Sequence, residues 1–480
     1  MLIQLISILV ISSLIIWMIP NHKIKTIKRV GLLSSFGALW LTILIWITHF
    51  PNPTFQLNNS DLWIDKSSTL LKWGPLHFGL DEISIPFLLL TAILTPICIL
   101  ISWNSIKYLV KEFILCLLLI HLILIGVFTS LNILLFYILF EIILIPMFVV
   151  IGVWGSRKEK EKAAYYFFFY TLAGSLFMLL SIFAIYNHTG TLDYQSLLNI
   201  TLPQNIQLWC FLGFFISLAV KIPMVPLHIW LPQAHVEAPV AGSVILAGVL
   251  LKLGGYGFIR FSWNLFPEAS EYLSPIIMLL SAIAIIYASL STCRQTDAKR
   301  LVAYSSVAHM GIVTLGIFSK TIEGIIAAMI LMLAHGLVSS GLFIVVTNLY
   351  DRFHTKLIGY YKGITYAMPL FSTIFFVLIL ANIAFPISLN FIGEFISIFS
   401  ALQYSQLMII PPLVGMVLSA AYSLTFFNKI AFGLPSQHTV LSRDLNRREL
   451  FSPLLLSILT IILGLTPITI MTSFSLPYIL

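Results

Sequence analysis

Apolar residues run in blocks of about 20 along nearly the whole chain, and polar or charged residues collect in the short gaps between them. A helix of that length spans the roughly 30 Å hydrocarbon core of a bilayer. Fourteen such blocks are centred near residues 11, 40, 94, 121, 142, 175, 215, 250, 282, 309, 337, 379, 417 and 462. The pattern predicts an all-α membrane protein of about 14 transmembrane helices.

Two blocks are interrupted. "VKIPMVPLHIWLPQAHVEAP" carries Pro223, Pro226, Pro232 and Pro239, too many for one continuous helix, and "NIAFPISLNFIGEF" carries Pro386. Broken backbone at membrane depth survives where it is buried or lines water. Breaks in helices 7 and 12, five spans apart, predict two inverted five-helix repeats, helices 4–8 and 9–13. The expected divisions are residues 1–110 for the first three helices, 111–262 and 273–428 for the repeats, and 429–480 for a loop and the last helix.

Composition strengthens this reading. Of 480 residues 59% are hydrophobic and 9% charged, against about 25% charged in soluble domains. Mean hydropathy is +1.01. The net charge of +8 does not point to nucleic acid, because the cations are not interleaved with stacking aromatics. Of 26 lysines and arginines, twenty fall in the loops after odd-numbered spans, four (Lys66, Lys72, Arg260 and Lys320) in those after even-numbered spans, and two inside apolar blocks. Cations favour the side of synthesis, so both termini are expected on the opposite side. The first basic cluster, Lys23 to Arg29, follows the first apolar block. That order suits neither a secretory signal nor a presequence, and insertion by a local translation system is expected. Of the two longer loops, 51–82 and 429–451, each reads as a solvated connection or as a docking segment.

The four cysteines are scattered and form no CxxC, and "LGGYGF" follows no strand. Zinc, iron–sulfur and dinucleotide-binding patterns are therefore not recognised. What stands out instead are ionisable residues inside apolar blocks. Glu141 lies in "LFYILFEIILIPMF", Lys221 beside the first break and Lys252 in "VLLKLGGYGF". His309, His335 and Glu394 complete the set. An acid or lysine at a helix centre costs roughly 2.5–3.5 kcal/mol on insertion scales, and such residues mark proton or ion pathways. Glu141 and Lys252 sit roughly 14–18 Å inside their spans at 1.5 Å per residue. Desolvation favours the neutral forms of lysine and carboxylic acid, and imidazole titrates near neutrality. A Glu–Lys pair that approaches and separates is thus a switch for a proton. His228, His235 and Glu237 are placed to line a hydrated opening, whereas His121 is assigned to packing.

"FEIILIPMF", "KIPMVPLHIWLPQAHVEAPVAGSVILAGVLLKLGGYG", "RLVAYSSVAHMG" and "AHGLVSSGLF" resemble the antiporter-like membrane subunits of respiratory complex I, over nearly the whole chain. The resemblance implies that Glu141 and Lys221 form a switching pair, that Lys252 is the central lysine, and that His309 and His335 continue the axis. Glu394 stands where most members carry lysine and one branch carries glutamate. The resemblance also implies proton pumping without cofactors on this chain, with NADH, flavin, iron–sulfur clusters and ubiquinone in other subunits. Its implied partners are the other complex I membrane subunits: the neighbouring antiporter-like subunits, and the largest of them through a lateral helix that this chain lacks. Membrane lipids complete the set, with no nucleic acid. It further implies a multi-pass place in the mitochondrial inner membrane, with both termini towards the intermembrane space. The alternatives are a subunit of a sodium/proton antiporter complex, a purely structural membrane-arm subunit, or a haem-binding electron carrier.

Overall fold

A computed structural model describes residues 1–48, 77–435 and 443–471. Lys66, Lys72 and most of the 51–82 loop lie outside the described residues, as does the middle of the 429–451 loop. Among the described residues there is no strand, only three isolated bridges, and eleven helices are long and apolar enough to cross a membrane. The chain opens with α1 (Leu2–Met18), α2 (Ile24–Thr48), α3 (Ser84–Ser105) and α4 (Val110–Thr129). Next come α5 (Ile133–Trp154) and α6 (Lys160–Thr189), then α7 (Gln204–Lys221) and α8 (Trp230–Glu237). The long helices α9 (Val240–Leu265), α10 (Pro267–Cys293), α11 (Ala298–Ile317) and α12 (Ile322–Phe353) follow. Then come α13 (Pro369–Asn382) and α14 (Leu389–Tyr404), α15 (Gln406–Ala431) and α16 (Arg447–Leu465).

α9 and α12 are the core. Both are wholly buried in their central windows, as expected of helices with no solvent-facing stripe. α12 packs against α3, α9, α11, α13, α14 and α16. Glycine sets how closely α9 and α12 approach. A Cβ on Gly336 would lie 2.9 Å from the Gly248 carbonyl oxygen, and one on Gly248 would lie 2.8 Å from Ser340 Oγ. Small residues let membrane helices touch along their backbones, and this contact sits one turn from Lys252 and next to His335. The outer helices instead present apolar side chains outward, among them Trp17, Phe169, Tyr272 and Val417.

Both breaks fall where the prolines predict. α7 stops at Lys221, and the chain runs without helix to Trp230 through Pro223 and Pro226. Backbone groups freed at such a break must find partners. The Trp230 indole donates to the Val220 carbonyl at 2.9 Å, and Met224 N–H to Ala219 O at 3.0 Å. Between α13 and α14, Ala384 and Ile387 take positive φ values of 63° and 109°. The Phe385 N–H there reaches back to Leu380 O at 3.0 Å.

Of the cations counted as loop residues in the sequence, Lys28 is buried at 8% exposure and three others are almost wholly enclosed. Arg260, Lys299 and Lys356 are 3%, 2% and 2% exposed. Arg260 and Lys299 lie within helices, and Lys356 folds inward from the segment after α12. Position between apolar blocks identifies a side of the membrane, not the direction in which a long side chain turns.

Candidate functional site: a buried file of ionisable residues

Four of the six candidates from the sequence meet in one buried chain. Lys252 begins the regular α-helical turn that follows a π-helical turn, Leu246–Leu250, in α9. Such turns displace the backbone register and recur at functional sites. Here the Ala247 carbonyl accepts a hydrogen bond from the Lys252 ammonium. The same Nζ lies 2.8 Å from His335 Nδ1 on α12. The His335 and His309 rings are 5.6 Å apart, centre to centre. His309 on α11 brings Nδ1 to 2.9 Å from Glu394 Oε1 on α14. All four side chains are within 2% of full burial, so water reaches them only through the interior. The order along the file is Lys252, His335, His309, Glu394. It joins α9 of the first half to α14, the helix that resumes after the second break.

Glu141 and Lys221 form a second group. Lys221 ends α7 with its ammonium 4.3 Å from the centre of the Phe140 ring, and it is 3% exposed. It and Ser175 face the Glu141 carboxylate. The Ser175 hydroxyl donates to Leu172 O at 2.8 Å, and both carboxylate oxygens are buried without a hydrogen-bond partner. Glu141 and Lys221 are therefore neighbours that do not touch. No described hydrogen bond joins Lys221 to Lys252, although α7 and α9 pack together.

The expected opening at the first break divides. His228 turns away, its ring 5.5 Å from Tyr287 on α10. His235 is fully buried, stacked 4.5 Å from Phe343 on α12, with neither ring nitrogen hydrogen-bonded. Its charged neighbours are Lys299 and Lys252. Glu237 closes α8 beside a 120 Å³ cavity lined by Glu159, Lys162, Gln233 and Arg300. Two lysines missed in the sequence meet it from the other half of the molecule. Lys299 Nζ donates to Ala238 O at 3.1 Å. Lys356 Nζ donates to Val236 O at 2.5 Å and Ser156 Oγ at 2.7 Å, and stands 3.8 Å from Glu237 Oε2. The available signal was four acceptors left at the C-terminal end of a short helix, which cations satisfy well. His121, assigned to packing in the sequence, is fully buried, with Nδ1 3.3 Å from Thr95 Oγ1 and Nε2 without a hydrogen-bond partner.

Burial pushes Lys356 down to about 8, against the opposing pull of Glu237. The cation is therefore the main form below that pH and is lost as pH rises through it. Proton translocation by the assembled complex is expected to decline on the alkaline side with a midpoint near 8. In Lys356→Arg, whose guanidinium stays charged, that limb moves upward by more than about one pH unit. The check is the pH profile of pumped protons per electron in vesicles; superimposable profiles would remove Lys356 from the account.

A set of acids, bases and imidazoles buried across broken helices defines an ion-translocating membrane protein. Residues 130–419 match the transmembrane family described as NADH:quinone oxidoreductase/Mrp antiporter, and the chain belongs to that family. It is 58% identical over 449 residues to NADH-ubiquinone oxidoreductase chain 4 of Metridium senile, covering 94% of this chain and 91% of that one. It is 49% identical to the protein of the same name in Arabidopsis thaliana, covering 92% and 89%. A chain of respiratory complex I from Thermus thermophilus with bound NADH superposes with a TM-score of 0.84 at 28% identity, over 98% of this chain and 99% of that one. A chain of the Mrp complex from Dietzia sp. shares the fold, with a TM-score of 0.83 at 17% identity, covering 98% and 96%.

Proposed function

We propose that this chain is the proton-translocating antiporter-like subunit of respiratory complex I that corresponds to chain 4. NADH oxidation and ubiquinone reduction then take place on other subunits, which carry the flavin, the iron–sulfur clusters and the quinone. The single observation that carries the reading is the buried file Lys252, His335, His309, Glu394, drawn from four helices, with outer steps of 2.8 and 2.9 Å and a middle step of 5.6 Å between ring centres. Each member can hold a proton, and each neighbour is close enough to receive it directly or across one water. Glu141 and Lys221 are the switching pair, here in their separated arrangement. Lys252 is the central store, His335 and His309 are relays, and Glu394 is the terminal exchange site. Moving one proton against 100 mV takes about 2.3 kcal/mol, which charge rearrangement along the axis can supply.

The same reading takes the chain as fourteen crossings in two inverted five-helix repeats, 111–262 and 273–428. The matched breaks after Lys221 and Asn382 support it. The location is the mitochondrial inner membrane, with both termini towards the intermembrane space, as the cation bias of the loops supports. Neighbouring antiporter-like subunits and the lateral helix of the largest one cover the apolar outer faces that lipids leave free.

The test is the proton-to-electron ratio of intact complex in vesicles. With assembly verified on native gels, Glu141→Gln and Glu394→Gln are each expected to lower pumping at least about tenfold, equivalent to about 1.4 kcal/mol at the limiting step. A purely structural subunit predicts unchanged pumping in both. A sodium/proton antiporter predicts sodium-dependent transport that continues without NADH.

A further inference from the structure

We propose that the first half of the molecule carries a built-in seal that stops protons escaping from Lys252 to the less basic side: an aromatic plug closed by the Arg260–Asp81 ion pair. The proposal rests on the reading of Lys252 as a proton-bearing group.

Lys252, Tyr256 and Arg260 succeed one another at four-residue spacing along α9, so they share one face of the helix. At about 1.5 Å per residue, Arg260 lies roughly 12 Å from Lys252 towards the end of α9. That face is the direct route outward, and it is filled by rings. Phe87 and Phe128 stack at 5.5 Å, and Tyr256 meets Phe128 edge-on at 5.1 Å. Phe136 packs on Phe261 at 4.6 Å and on Phe140 at 5.6 Å. All six are at most 1% exposed. Protons travel through hydrogen-bonded groups or water, and packing of this kind offers neither. The hydroxyl of Tyr256 is no stepping stone, because it donates its hydrogen to the Phe128 carbonyl at 3.0 Å.

Beyond the plug, the Arg260 guanidinium pairs with the Asp81 carboxylate and lies 4.7 Å from the centre of the Tyr194 ring. Asn264 Nδ2 fixes that ring by donating to its hydroxyl at 2.7 Å. An arginine held in an ion pair keeps its protons at every working pH, so it cannot pass one on. Asp81 holds the arginine in place from the segment before α3, so the barrier is formed between two parts of the chain. The opposite end of the same half looks different: Glu237 borders a polar cavity there. One end is polar and the other is sealed, which directs protons along the file towards Glu394.

The experiment is passive proton permeability of vesicles holding the intact complex, without NADH, under a potassium diffusion potential. Arg260→Met combined with Asp81→Asn removes both charges together. Inward proton flow is expected to rise about tenfold, as for loss of roughly 1.4 kcal/mol of barrier. Adding Lys252→Met is expected to return it to the wild-type rate, and Arg260→Lys alone to leave it unchanged. Phe128→Leu, which keeps the charge pair, raises the flow less and is likewise suppressed by Lys252→Met; it serves if the double variant does not assemble. An unchanged leak overturns the seal, and so does a leak that ignores Lys252→Met. Normal NADH-driven pumping by Lys252→Met alone would instead overturn the reading of Lys252, whatever the leak shows.

Discussion

Replacing Lys252 with methionine is expected to abolish proton translocation while the complex still assembles. Quinone-linked NADH oxidation should fall by about an order of magnitude, since a blocked charge step of about 1.4 kcal/mol slows the coupled reaction tenfold. The structure explains why assembly survives. Removing one member of a buried ion pair leaves an orphan charge and commonly costs about 3–5 kcal/mol, but Lys252 contacts no carboxylate. Its described partners are the Ala247 carbonyl and His335 Nδ1, and methionine fills nearly the same volume. His335 then loses its donor, and the file is cut between α9 and α12. Pumping at the wild-type ratio would mean that protons bypass Lys252.

The second large effect concerns backbone rather than charge. Gly336→Val is expected to prevent stable assembly. A Cβ there would lie 2.8 Å from Leu90 Cδ2 and 2.9 Å from the Gly248 carbonyl oxygen, and a backbone oxygen cannot rotate aside. Overpacking usually costs about 1–3 kcal/mol and more when the backbone is forced to move. Here the movement separates α9 from α12, the helices that bring Lys252 to His335. Gly359, with nothing within 4 Å of its built Cβ, is the control: Gly359→Ala should assemble normally. The measurement is the amount of complex and its melting temperature after mild detergent extraction, and equal values for the two variants would contradict the close-approach argument.

Much of this was readable from the residues. Proline clusters located both helix breaks, because the missing N–H and the fixed φ act locally. Glu141, Lys252, His335 and Glu394 declared themselves by being ionisable in apolar surroundings. Which of them touch was not readable, since that depends on helix rotation and on the π-turn before Lys252. The approach of Lys252 to His335 depends on close packing at Gly248 and Gly336, two residues that carry no chemistry. Lys299, Lys356 and Arg260 were hidden by the rule that read the topology, which counts cations by side and ignores their direction. His228 and His235 were grouped by sequence and are parted in the structure, His228 lying in the non-helical stretch before α8 and His235 within that helix.

The proposed function requires these groups to form one hydrated path through the interior. Its most direct test is an experimental map of the assembled complex at a resolution that shows ordered water. Waters are expected between the His335 and His309 rings and in the gap between Lys221 and Lys252, each hydrogen-bonded to the side chains it joins. Dry hydrocarbon packing in either gap, with the side chains in the positions described above, would contradict it.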